Sequence, residues 1–381
     1  MAMRHQRDSM WFMDPGIKIP RLTWWWWFWL LYIDNKDDPL HPKQFMILWS
    51  TKNCKNILVD QMPWQRKKGL KKTQSGLEFD GMAAAWYFDG KKMTDEFILE
   101  RDEYAVLDYG DDSESGALFS VTKKKDGCRF EGNKKEYKLF IKKPGIDFDF
   151  TMTPCVSGPL SQHDYSERMF RKKYGYNIMK IRKMDLAGTM RTEPGEGGTG
   201  EKEHITGTAY FQKVTVNSPA VPWYWSAIHF GDGSYLQYSA FHAGLPMLMR
   251  GLEPHRTFEA RGRIYLSNKV EFYCAKEDKT YEMKNIWIGK KHNPASSHLP
   301  TFSVGAKNKK EEEEIYVECE AYAHAYWRFE QPFPLKNTIL YYNEYPSIVK
   351  QFYHKNKERV IRLDSMDGGY GNCEHSWGFL V

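Results

Sequence analysis

The sequence predicts an all-β protein: two antiparallel β-barrels packed together, with few short helices. Three observations carry this. Aromatic residues (14 Trp, 23 Tyr and 22 Phe) make up 15% of the 381 residues, and aromatic side chains fit the pleated, half-buried surface of a strand. Short alternating or apolar runs recur between turn signals along most of the chain, while helical periodicity is scarce. The pattern is interrupted by "MRTEPGEGGTGEKEH" at 190–204, which leaves halves of about eight strands each, the size at which a barrel encloses one small ligand. The expected domains are 15–195 and 204–381. Residues 196–203 are read as a Gly-rich linker or as a loop within one strand pair.

The first strand is the most unusual. "TWWWWFWLLYID" at 23–34 holds five tryptophans and a phenylalanine within six positions. A membrane span is disfavoured, because Arg21 and Asp34 bound about ten apolar residues where roughly 20 are needed, and tryptophan prefers the bilayer interface to its centre. A core strand and the wall of an apolar pocket both stay open. Strand patterns follow in "FMILWST" (45–51), "LEFDGMAAAWYFDG" (77–90), "EFILER" (96–101), "YAVLDYG" (104–110), "GALFSVTKK" (116–124), "EYKLFIKK" (136–143) and "IDFDFTMTP" (146–154). "FDGKK" (88–92) and "KKDG" (124–127) suit tight turns. The glycines of 190–204 do not make a phosphate loop, since no apolar strand precedes them, no Lys-Ser/Thr ends them and no helix follows.

In the second half the pattern restarts with "ITGTAYFQKVTV" (205–216) and continues through "RTFEARGRIYLS" (256–267), "VEFYCAK" (270–276), "YEMKNIWIG" (281–289), "EEIYVECEAYAHAYWRFEQ" (313–331), "TILYYNEYPSIVKQFY" (338–353) and "NCEHSWGFLV" (372–381). "YWSAIHF" and "SYLQYSAF" flank "GDG" as a hairpin whose glycines supply positive φ. "SIVKQFYHK" (347–355) is expected to be a short helix.

The net charge of +6 is modest for this length. Its clusters, "RKK" (66–68), "KKK" (123–125) and "KNKK" (307–310) running into "EEEE" (311–314), read as solvated hairpin tips. No single face concentrates charge as nucleic-acid binders do, so no nucleic-acid partner is expected. Peripheral membrane contact through the Lys-rich tips is compatible with the pattern. Six scattered cysteines without a CxxC pair read as reduced thiols, and no metal or other cofactor is expected. The opening "MAMRHQRDSMWFMDPG" lacks the apolar region of a secretory signal, so the expected location is the cytoplasm. Oligomeric state is not legible.

Strand alternation sorts side chains into faces. Trp223, Trp225, Ala227 and His229 share one face, and Tyr224, Ser226, Ile228 and Phe230 the other. Leu236, Tyr238, Ala240 and His242 align on a second strand. Tyr210 and Gln212 align on a third, and Tyr322, His324 and Tyr326 on a fourth. Glu374 is placed with Ser376, and His375 with Trp377. These polar–aromatic faces are either a core with satisfied polar groups or an apolar pocket with a few placed donors and acceptors. No GxSxG, HExxH or carboxylate pair beside a nucleophile is present in the sequence.

The phrase "ITGTAYFQKVTVNSPAVPWYWSAIHFGDGSYLQY" resembles the middle of the carotenoid 1,2-hydratase (hydroxyneurosporene synthase) and AttH-like family. "WWWWFWLLY", "WYFDGKKMTDEFILE" and the closing "GYGNCEHSWGFLV" fall, in order, where that family's early, first-barrel and final strands run. The resemblance covers roughly residues 20 to 381. It implies two lipocalin-like barrels, a cavity for long apolar ligands such as isoprenoids, and hydratase chemistry. Fungal relatives are pericyclases that fold a polyene for cycloaddition. Where the hydratases carry an Asp in the "AYxD" strand this chain has Gln212, and a neutral amide cannot protonate an alkene. The proton donor then has to come from Glu374, His242, Tyr238 or Asp232. Tyr210, Trp223, Trp225, His229, Tyr322, His324, Tyr326 and Trp377 are the expected ligand-binding residues, with Gln212 orienting substrate or water. The expected function is an enzyme for hydration, isomerisation or cyclisation of an isoprenoid- or polyene-like molecule. A non-catalytic carrier or sensor of an apolar ligand is the alternative, and a purely structural role is a third reading.

Overall fold

The computed structural model describes residues 10–13, 19–60, 62–64, 70–73, 76–110, 114–123, 126–155, 164–170, 174–193, 200–248, 263–292, 299–308, 310 and 312–381. The chain is all-β and separates into two compact units. Met1–Asp34, Lys43–Pro219 and Val381 form the first, and Asn35–Pro42 with Ala220–Leu380 form the second. "RKK" at 66–68 lies outside the described residues.

The first unit contains β1 (Thr23–Ile33), β2 (Lys43–Lys52), β3 (Ile57–Val59), β4 (Met62–Trp64), β5 (Lys71–Lys72), β6 (Gly76–Phe88) and β7 (Met93–Asp108). It continues with β8 (Gly116–Ser120), β9 (Gly127–Asn133), β10 (Glu136–Lys143), β11 (Ile146–Pro154), β12 (Asp164–Phe170), β13 (Tyr174–Thr192) and β14 (Glu203–Asn217). Ten of these strands close into an antiparallel barrel, in the order β1-β2-β6-β7-β8-β9-β10-β11-β13-β14 and back to β1. The closing ladder pairs β11 with the second half of β13, whose first half carries β12.

The tryptophan run links the barrel's first and last strands, since β1 pairs with β2 on one side and β14 on the other. In β1 alternate residues point to opposite faces, and Trp25, Trp27, Trp29, Leu31 and Ile33 enter the core. Met10, Trp11 and Met13, just upstream, are buried in the same core. Trp27 Nε1 donates to the Met10 carbonyl at 2.8 Å. Phe130 is ringed by Trp11 at 5.0 Å, Trp49 at 5.1 Å, Trp29 at 5.7 Å and Phe211 at 6.0 Å between centroids. Aromatic side chains at these separations fill the interior with offset and edge contacts. On the other side of β1, Gly207 of β14 sits at φ +155, and a Cβ there would meet the Tyr32 carbonyl oxygen at 2.0 Å. Glycine therefore lets the two strands approach.

Trp29 is fully buried, and among the described residues its Nε1 has no hydrogen-bond partner. Trp29→Ala is expected to cost about 3–5 kcal/mol through lost contacts and the cavity left behind. Trp29→Phe should cost far less, because it also removes an unsatisfied buried donor. Chemical denaturation of the two variants checks the ordering.

Two expectations change here. The strand opening at Glu203 belongs to the first unit, because β14 lies between β1 and β13. The unit boundary therefore falls after Pro219, not at 204. The Gly-rich stretch joins the paired strands β13 and β14, which matches the loop alternative for 196–203; residues 194–199 lie outside the described set. "FDGKK" does form a tight turn. Gly90 adopts φ 100, and the Asp89 carboxylate accepts from the amides of Lys91 and Lys92 at 2.7 Å each. Lys124 and Lys125 of the "KKDG" turn lie outside the described residues.

The second unit contains β15 (Trp223–Phe230), β16 (Tyr235–Gly244), β17 (Arg263–Cys274), β18 (Lys279–Lys284), β19 (Trp287–His292) and β20 (Pro300–Asn308). It ends with β21 (Glu313–Ala321), β22 (Ala325–Gln331), β23 (Thr338–Lys355), β24 (Val360–Arg362) and β25 (Gly369–Gly378). The antiparallel order is β18-β17-β16-β15-β25-β23-β21-β20-β19, with β22 and β24 added on β23. The two ends of this order meet in one core: Tyr281 and Met283 of β18 and Ile288 of β19 pack with Tyr224, Phe230, Phe272 and Phe352. The β15–β16 hairpin forms as expected. Of its two glycines Gly233 takes the positive φ, and the Asp232 carboxylate accepts from the Ser234 amide at 2.8 Å and hydroxyl at 3.0 Å.

The expected helix at 347–355 is instead the continuation of β23. A register shift opposite Glu318/Cys319 leaves Lys350 and Gln351 exposed in succession between buried Val349 and Phe352. In the sequence that bulge looks like a helical three-residue spacing. The run 313–331 likewise is two strands. β21 pairs with the second half of β23 and β22 with the first, so Tyr322 and His324 fall in the bend between them.

Candidate active site

In the second unit β25 lies between β15 and β23, and its register sets the chemistry. Because side chains alternate, Cys373 joins the inner core with Tyr224, and the same parity takes His375 and Trp377 to that face. Glu374 turns to the other face with Trp223 and Trp225. Its direct cross-strand partner on β23 is Glu344. Two carboxyl groups therefore stand side by side, 4% and 1% exposed respectively.

Hydrogen bonds fix this pair. Trp223 Nε1 donates to Glu374 Oε2 at 2.7 Å. The Tyr342 hydroxyl reaches Glu374 Oε1 at 3.1 Å and also contacts Glu344 Oε1. Around Tyr342 stand the rings of Trp223 at 5.8 Å, Trp327 at 6.1 Å and Phe329 at 6.3 Å. Burial raises the Glu374 carboxyl to about 7, against the opposing pull of the bonds from Trp223 and Tyr342. Glu344 is driven well above the usual carboxylate range, first by burial and then by the charge of Glu374. Like charges this close cannot both ionise in a buried site, so the pair retains a proton through neutral pH. This is the environment of a general acid.

On the inner face a second polar cluster gathers where β16 ends and β17 begins. His375 stacks on Tyr224 at 4.2 Å, with His242 5.4 Å from Tyr224 and 6.4 Å from His375. His242 is fully buried, and among the described residues neither ring nitrogen has a hydrogen-bond partner. Burial lowers it to about 4, so it is neutral at pH 7. Lys290 Nζ donates to the Tyr345 hydroxyl at 3.0 Å and lies 3.2 Å from His375 Nδ1.

The residues expected from the sequence are thus not brought together in one place. Glu374, Trp223 and Trp225 share the outer face of β15 and β25, and His229, further along that face, lies 6.3 Å from the Tyr370 ring. His242, Trp377 and His324 belong with the inner cluster: Trp377 is 5.3 Å from His375, and His324 stacks on Tyr345 at 4.7 Å while bonding Asn343. Tyr238 lies deeper in the same core, its phenol kept protonated by burial. Tyr326 stacks on Tyr341 at 6.3 Å, and the Tyr322 hydroxyl donates to the Pro42 carbonyl at 2.9 Å. Tyr210 and Gln212 belong to the first unit. Their side chains bond each other at 3.1 Å on the face of β14 opposite core residue Phe211. Asp232 is occupied by its turn.

Glu344, Tyr342, Lys290 and Tyr345 were not singled out by the sequence reading. Lys290 had a legible signal: it continues the period-two series Ile286, Ile288, Lys290, all buried. Glu344 had none, because its partner is 30 positions away and strand register is invisible in one sequence. Among the described residues no group of three or more His, Cys, Asp or Glu is placed to hold a metal ion, and no helix is long and apolar enough to cross a membrane.

No family model matches the chain, and no curated protein sequence does. Solved structures do. The chain is similar to CghA in complex with Sch210972, at 8% identity over 94% of this chain and 89% of that one, with a TM-score of 0.54. A Nitrosomonas europaea protein designated AttH (NE1406) aligns at 13% identity over 95% and 98%, with a TM-score of 0.49. Kievitone hydratase from Nectria haematococca aligns at 10% over 93% and 88%, with a TM-score of 0.41. At such identities the likeness to CghA establishes a shared all-β fold, and the chemistry has to be read from this chain's own residues.

Proposed function

We propose that the protein is an acid–base enzyme for an apolar, polyene- or isoprenoid-like small molecule, with Glu374 as its proton donor. The observation that carries this is the buried Glu374–Glu344 pair, held by Trp223 and Tyr342 and retaining a proton near neutral pH. A carboxylic acid poised near the working pH is the group that general acid catalysis requires. Glu374 would transfer its proton to an alkene carbon, leaving a carboxylate and a carbocation. The π faces of Trp223 and Tyr342 favour that cation. Water added to the cation gives hydration, loss of a different proton gives isomerisation, and attack by a second double bond gives cyclisation. In each case the carboxylate recovers one proton and the cycle closes. CghA, with a similar fold, is solved with Sch210972 bound, which supports a bound ligand here. Gln212 takes no part in proton transfer in this reading.

The test is native mass spectrometry and organic extraction of protein purified from its source organism, followed by incubation with the extracted class of compound. A co-purifying polyene or isoprenoid that is converted supports the proposal. The same compound returned intact across pH 5–8 makes the protein a carrier, and an empty protein that ignores such compounds removes the substrate class.

A further inference from the structure

The inner cluster holds a group that the acid chemistry of Glu374 does not use. Lys290 is 3% exposed, an unusual position for an ammonium ion. Among the described residues it has no ion-pair partner: its neighbours are the Tyr345 hydroxyl, His375 Nδ1 and three ring faces. Those rings are Tyr345 at 4.6 Å, Phe302 at 5.6 Å and Trp377 at 5.8 Å from Nζ. The titratable groups beyond them are His242 from β16, Tyr224 from β15 and Arg263 from β17. Arg263 donates to the Tyr224 hydroxyl at 3.2 Å and lies over the Tyr224 and Tyr265 rings.

We infer that Lys290 is a nucleophilic amine that captures an apolar aldehyde or ketone as an imine, within the cage of Tyr345, His375, Trp377 and Phe302. A lysine desolvated among apolar walls is the usual form of a Schiff-base lysine. Burial lowers this amine to about 7, so its neutral fraction at pH 7 is on the order of a thousandfold that of an ordinary lysine. Burial also holds the His375 ring neutral, which leaves Nδ1 free to accept the amine N–H. Tyr345 stays protonated because burial opposes its ionisation.

The step balances within the cluster. The amine lone pair forms the C–N bond as the carbonyl π pair moves to oxygen. That oxygen takes the Tyr345 proton, and nitrogen returns one to Tyr345. Collapse forms C=N, breaks C–O and releases the oxygen as water, carrying the proton Tyr345 gave and the second amine proton, while Tyr345 keeps the first amine proton in its place. Nothing is oxidised or reduced. The site lies on the sheet face opposite Glu374, so it stands or falls independently of the acid.

The experiment incubates the full-length protein with decanal or cinnamaldehyde at pH 7, reduces with cyanoborohydride and maps adducts by peptide mass spectrometry. Each adduct adds the aldehyde mass less one oxygen. The expected result is preferential labelling of Lys290, roughly tenfold or more over any surface lysine, consistent with its larger neutral fraction. The adduct should be retained in Glu374→Gln and absent in Lys290→Met. Labelling spread over surface lysines, or no labelling of Lys290, overturns the inference. So does protection by decanoic acid without any adduct, which would make the cluster an anion site. Mapping on the unaltered protein decides the matter even if the Lys290 variant does not fold.

Discussion

A Glu374→Gln variant is expected to lose turnover by about 10²–10⁴-fold, the usual contribution of a positioned general acid, while remaining folded. The amide keeps the shape of the carboxyl; its oxygen can still accept from Trp223 Nε1 while its NH2 donates to the Tyr342 hydroxyl, but it cannot give a proton to carbon. The stability expectation has the same origin. Glu374 titrates at about 7 when folded, above its ordinary range. Its neutral form therefore suits the fold, and that advantage is lost as pH rises through about 7. Glutamine mimics the neutral form at every pH, so the variant should be no less stable than the parent above pH 7. For the same reason activity of the parent should fall as pH rises past about 7, where the donor becomes a carboxylate. Steady-state rates across pH 5–9, with thermal unfolding of both proteins in the same buffers, check all three statements.

Lys290→Met should produce the largest stability change at the inner cluster, and its sign is opposite to that of a typical core truncation. The amine is lowered to about 7 in the folded protein against about 10.4 in an unfolded chain. Below pH 7 the lysine is charged in both states, and the folded protein carries the full cost of burying that charge. Between about 7 and 10 the unfolded chain binds the extra proton, so the parent gains stability with rising pH. The shift corresponds to on the order of 5 kcal/mol. Methionine fills similar space without charge, so its advantage should be greatest at pH 6 and fade toward pH 10. Denaturant titrations at those two pH values measure the difference.

Much of the fold is legible in the chain because strand pattern is local. The alternation of the tryptophan run, the FDGKK turn and the GDG hairpin are all set by neighbouring residues. What was misread depends on pairing. The bulge in β23 placed Val349 and Phe352 three apart and imitated a helix. The glycine-rich segment was ambiguous because only the β13–β14 ladder shows that it joins paired strands. The barrel count of ten, against about eight, also came from ladders. The site follows the same rule. Glu374 and His242 stood out as polar groups among aromatics, and alternation correctly put Glu374 on the face of β25 opposite His375 and Trp377. Glu344 and Tyr345 gained their meaning only when β23 was laid beside β25. Lys290 was legible through its period-two spacing after Ile286 and Ile288, while its neighbour Lys291 faces water.

The central claim is that the Glu374–Glu344 pair delivers a proton to carbon. The most direct measurement is deuterium incorporation into a panel of isoprenoid and polyene compounds incubated with the protein in heavy water, read by mass spectrometry. The account predicts carbon-bound deuterium in at least one compound with the unaltered protein, and none above background with Glu374→Gln. Equal incorporation by both proteins, or a compound that binds and is recovered without deuterium, would contradict it.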